Sequence, residues 1–350
     1  GDSVTTGSGH NTIVGYFAAT ELTTGPFNTA LGASSFRQET TGQYNTAVGY
    51  SALENQSGGT SNNVGVGFKA YEGQEGSTTG ANNTAVGAYA LQVKTTGTRI
   101  TAVGYGALDA NTTGNDNTAV GQNSLARNTT GLANTAVGRE SMDKNTTGSH
   151  NTAFGMYALY GNTTASENTA FGKSALETNT TGTRNTAVGR SALLLSTTSN
   201  DNTAVGAFSL DANTTGGLNT AVGRYTLSAN TTGQKNVAIG GNALLSNVTG
   251  ESNTAVGYNA LDANTSDNNT AVGFQSMLNN TSGSSNAALG NESLEANTSG
   301  GQNTAIGYQA LTSNTTGSFN TACGRSSMFS NTTAGNNVAY GKDSLYSYIA

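Results

Sequence analysis

The phrase Asn-Thr-Ala-Val-Gly, or a close variant of it, restarts twenty times in 350 residues. Its opening residue falls at 11, 28, 45, 63, 83, 100, 117, 134, 151, 168, 185, 202, 219, 236, 253, 269, 286, 303, 320 and 337. Every step is 17 residues except three: 18 from Asn45, 20 from Asn63 and 16 from Asn253. A chain repeating at this length folds as a solenoid or fibre, because each unit is one supersecondary element that cannot bury its own apolar face and must stack on its neighbours.

The repeat runs with no change of composition, so one continuous architecture is expected rather than several domains. Residues 1–10 read as a partial coil, 11–344 as the repeat array with irregular insertions at 54–82, and 345–350 as an exit from the repeat. Because the chain enters and leaves the repeat in mid-unit, and solenoids carry distinct caps, it is expected to be a section of a longer protein. Charged residues make up only 10% of the chain, against the high charge of disordered sequences.

Numbering a unit such as 117–133, NTAVGQNSLARNTTGLA, from 1 to 17 separates the duties of its positions. Gly holds position 5 throughout, from Gly15 through Gly121 to Gly341, and usually position 15, as at Gly114 and Gly131. Both are expected to be bends, since Gly reaches positive φ without steric cost. Asn at 12 and Thr at 13 and 14 read as turn residues. Positions 2 to 4 form a short strand in which 2 and 4 share one face and Ala at 3 the other. Position 9 is a second apolar rank, mostly Leu, with Met at Met142, Met277 and Met328, and position 8 is always small.

Positions 2 to 4 and 9 are therefore expected to supply a thin core. Cys323, at position 4, is expected as a buried structural thiol. The fold class is all-β: a rod-like parallel β-solenoid, or β-roll, of about twenty 17-residue coils. At about 4.8 Å per coil it would extend on the order of 95 Å. A strand apolar on both faces is normally covered on both. Either Ala at 3 looks into the coil while 2 and 4 look toward sister chains, or the reverse.

The NTAVG unit resembles the SVAIG-type strand motif of trimeric autotransporter adhesin heads. The longer NTAVGxxALxxNTTG pattern is similar to repeats in phage tail-fibre and tail-fibre-like bacterial surface proteins. The resemblance covers nearly the whole chain and implies a homotrimer of parallel β-rolls, left-handed in the adhesin family, on a cell or virion surface. It implies a structural fibre or adhesin segment that is not an enzyme and attaches to a cell-surface glycan or protein receptor. The coil here is longer than the adhesin-head coil, with the added residues in the ALxxNTTG half.

Other chemistries find little support. A net charge of -6 leaves no basic stripe for nucleic acid. No apolar run approaches the roughly 20 residues of a membrane helix. One cysteine and two histidines eight units apart, His10 and His150, make no metal or cofactor site. Acids recur with the repeat at position 10 (Asp109, Asp143, Glu177, Asp211, Asp262, Glu295) and bases at position 6 (Arg139, Lys173, Arg190, Arg224, Arg325, Lys342). These read as surface ladders or interchain ion pairs rather than the isolated carboxylate pair of a glycan-degrading enzyme.

Positions 6 and 7 vary most and carry the candidates for surface recognition: Tyr50, Phe68, Tyr89, Tyr105, Tyr157, Tyr225, Tyr258 and Tyr308. Residues 54–82 are the expected bump beside them. Thr at 2, 13 and 14 raises ice binding as an alternative, with position 2 expected to be buried. Asn111, Asn128 and Asn145 also match the Asn-x-Thr glycosylation pattern.

Overall fold

The structure, a computed structural model, describes residues 9–75, 79–94 and 96–347. It comprises two compact units, Gly1–Thr181 and Gly182–Ala350. In each, the described residues form ten three-residue strands, from Thr12–Val14 to Thr169–Phe171 in the first and from Thr186–Val188 to Val338–Tyr340 in the second. Every strand pairs in parallel with the next in its unit, position 2 on position 2 and position 3 on position 3, as Thr118↔Thr135 and Ala119↔Ala136. Each unit is thus a stretch of parallel β-solenoid with one repeat per coil, and no helix occurs among the described residues.

Of the two arrangements the alternation left open, the structure has Ala at 3 inside. Ala at position 3 is fully buried, as are the small residue at 8 and the Leu or Met at 9, shown by Ala119, Ser124 and Leu125. Thr at 2 and the aliphatic residue at 4 face outward and are half-buried or exposed. Positions 2 and 4 are therefore not core, and the expected burial of position 2 is corrected. So is Cys323: it lies on the outward rank as a free, half-buried thiol.

Asparagine occupies most of the rest of the interior, in two columns. At position 1, the Asn117 amide donates to Gly131 O at 2.7 Å, and its Oδ1 accepts the Asn134 backbone N–H at 2.9 Å. At position 12, Asn128 Nδ2 donates to Asn111 Oδ1 at 2.8 Å and to Gly131 O at 2.9 Å. Both columns satisfy backbone groups that the three-residue strands leave unpaired, which is what lets a polar side chain sit at zero exposure. The Asn-x-Thr residues Asn111, Asn128 and Asn145 are fully buried members of this column. They are closed to glycosylation in the folded chain.

The backbone between strands alternates in hand. Asn123, Leu125 and Ala133, at positions 7, 9 and 17, have φ of 52, 51 and 55°. Their N–H groups run to neighbouring coils: Asn123 to Tyr105 O at 2.9 Å, Leu125 to Ser141 O at 3.0 Å and Ala133 to Asn115 O at 3.0 Å. The two glycines differ in reason. A Cβ on Gly121 would stand 2.5 Å from Gly138 O and its φ is +135°, whereas Gly131 has the close approach alone, 2.3 Å to Gly148 O and 2.4 Å to Asn128 Oδ1. Position 15 selects Gly for close approach, not for positive φ.

Changes of coil length fall in one bend. The position-1 amides of Asn45, Asn63 and Asn253 still find the carbonyl that closes their coil, on Thr60 at 2.8 Å, Gly80 at 3.2 Å and Ser266 at 2.8 Å. Both insertions and the one deletion lie between positions 12 and 15. Of the expected bump at 54–82, residues 76–78 lie outside the described residues, as do 1–8 of the expected upstream coil and 348–350 of the expected exit. Within 345–347 the coil register persists, for Leu345 keeps φ 49° and Ser330 N–H donates to Tyr346 O at 3.0 Å.

Candidate functional site

The bend after Gly at 5 turns positions 6 and 7 to the surface beside the outward strand face. Four of the expected aromatic residues come together there across successive coils of the first unit. The Tyr50 and Phe68 rings are stacked with centroids 5.4 Å apart, Phe68 meets Tyr89 edge-on at 5.4 Å, and Tyr89 meets Tyr105 edge-on at 5.7 Å. Tyr50, Phe68 and Tyr105 remain 51%, 44% and 55% exposed. The sequence names these rings but does not show that they touch, because their offsets mix positions 6 and 7.

Position 10 borders this strip. Lys69 Nζ donates to Glu72 Oε1 at 3.0 Å, Gln92 Nε2 donates to Glu72 Oε2 at 2.8 Å, and Arg37 pairs with Glu54 at 3.1 Å. The hydrogen bond to Glu72 holds the Lys69 ammonium above its ordinary range. Elsewhere at position 10, partial burial raises the carboxyls of Asp109, Asp143, Asp262 and Glu295.

The remaining candidates stand apart from the strip. Tyr157 meets Tyr160 at 5.6 Å under Arg139, and Tyr225 stacks on Phe208 at 5.2 Å under Arg224 and Arg190. Tyr258 stacks on Phe274 at 6.1 Å, while Tyr308 stands two coils beyond Phe274 and is 45% exposed. Three of the bases at position 6 thus cap aromatic rings at position 7.

Two bidentate ion pairs at position 17 went unread in the sequence. Arg99 binds Asp116 at 2.5 and 2.8 Å, and Arg184 binds Asp201 at 2.6 and 3.0 Å. These contacts lower both aspartate carboxyls. Opposite charges spaced by one period were the available signal. At the same position His10, Phe27 and Tyr44 stack at 5.0 and 5.2 Å, so His10 is part of an aromatic ladder.

Among the described residues no three His, Cys, Asp or Glu side chains are grouped to hold a metal ion. No helix among them is long and apolar enough to cross a membrane. The Thr hydroxyls at position 13 are engaged, as Thr129 Oγ1 donates to Thr146 O at 3.0 Å. Compared with known protein families and with curated proteins, the chain matches no family model and no curated sequence.

Proposed function

We propose that the chain is a structural segment of an extracellular fibre or adhesin that assembles as a homotrimer and contributes to attachment at a cell or virion surface. The outward strand face carries this reading. In both units it presents Thr at 2 beside a rank of aliphatic or aromatic residues at 4, including Leu31, Phe171, Ile239 and Leu289, all exposed in a lone chain. An apolar rank repeated on coil after coil is stabilised when other protein covers it, and identical chains in identical register offer the same rank in return. Positions 6 and 7 then remain outside the seam.

Charge placed on the rank tests the reading. Val120→Lys combined with Val137→Lys should reduce the assembly to single chains while leaving the interior and its circular dichroism intact. An unchanged assembly removes the proposed seam.

One observation favours a second reading, ice binding: sixteen of the twenty strands among the described residues begin with an outward Thr. A thermal-hysteresis assay on the purified chain separates the two.

A further inference from the structure

We propose that the strip of Tyr50, Phe68, Tyr89 and Tyr105 binds a linear, neutral, β-1,4-linked polysaccharide laid along the coil axis. The inference rests on the attachment role proposed above and supplies its ligand class. Successive ring centroids lie 5.4, 5.4 and 5.7 Å apart, one ring per coil. That step is close to the length of one pyranose residue in an extended chain. Tyr50, Phe68 and Tyr105 stay exposed and the ring planes turn by 77° and 80° at Tyr89, so the strip offers a ligand both ring faces and ring edges.

The border selects for a neutral partner. The ammonium of Lys69 and the guanidinium of Arg37 are matched to the carboxylates of Glu72 and Glu54. An ionic ligand would have to separate these pairs, whereas hydroxyl groups can use the acceptors and donors that the paired groups retain. The other aromatic contacts of positions 6 and 7 do not offer this. Phe208 and Tyr225 are a pair with a guanidinium over each ring, and Tyr258 with Phe274 spans only two coils.

Calorimetric titration of the purified chain with cellohexaose, mannohexaose and xylohexaose tests the proposal, with hexagalacturonate as the charged comparison. At least one neutral hexasaccharide should bind, with affinity rising from the disaccharide to the tetrasaccharide and little beyond it. Phe68→Ala with Tyr105→Ala should weaken binding at least tenfold, and so should Phe68→Leu with Tyr105→Leu, which keeps apolar bulk. Tyr258→Ala with Phe274→Ala should leave it unchanged.

Absence of binding by all three neutral probes, survival of binding in both strip variants, or equal binding of hexagalacturonate would overturn the proposal. The mass of the same sample keeps the two readings distinct. A trimer that ignores sugars removes only the ligand, and a monomer removes the assembly.

Discussion

The conformation of single residues explains why this sequence tolerates so much at some positions and so little at others. Positions 7, 9 and 17 adopt the left-handed region with ordinary side chains, at about 1–2 kcal/mol each for an L-residue. The N–H groups aimed between coils offset that strain. Ala133, at φ 55°, and Ala126, outside the left-handed region, make a matched pair. Ala133→Gly should raise stability by about 0.5–1 kcal/mol, because relief of the strain exceeds the added freedom of the unfolded chain, while Ala126→Gly should lower it by about 0.4–1 kcal/mol. Urea melts of both variants check this. Equal losses would show that position 17 is unstrained.

At the scale of the coil, the first unit departs from the asparagine interior in and beside its lengthened coils. Glu39 replaces Asn at position 12 and is fully buried. It accepts backbone N–H bonds from Thr40, Thr41, Gly42, Gly59 and Thr60, and the Thr60 hydroxyl at 2.6 Å. In the longest coil Tyr71 reaches across the widened interior. Its hydroxyl donates to Gly80 O at 3.1 Å, as the position-12 amide does elsewhere, and accepts from Asn83 and Lys94 at 3.1 and 2.6 Å.

Burial raises the Tyr71 hydroxyl and pulls the Lys94 ammonium down to about 7 from 10.5. Between those two values the unfolded chain holds a proton that the folded chain lacks, so stability rises with pH by up to about 1.4 kcal/mol per unit. Below about 7 both states are protonated and the full cost of the buried charge remains. Lys94→Met should therefore stabilise the chain most at pH 6, with the gain shrinking toward pH 10. Thermal melts at pH 6, 8 and 10 read the difference, and a gain independent of pH would contradict it.

For the whole molecule, the coil was legible because all twenty repeats obey one backbone, so its constraints recur at fixed offsets. The strand, the two glycines and Leu at 9 announce themselves in this way. Which face of the strand lies inside was not legible, since Thr, Ala and Val are all uncharged. The asparagines decide it: as side chains they read as turn formers, yet they fill the interior beside Ala at 3 and leave Val at 4 without cover. The strip formed by Tyr50, Phe68, Tyr89 and Tyr105 was legible in its members but not in its continuity, which depends on rings from positions 6 and 7 meeting across coils. The ion pairs at position 17 were missed because each is formed by one pair of coils and recurs only twice.

In the assembly proposed above, other chains cover the apolar rank that this asparagine-filled interior turns outward. Light scattering coupled to size-exclusion chromatography measures this most directly. A particle of three times the 35.2 kDa chain mass is expected, and a stable, soluble particle of one chain mass would show that the rank needs no partner.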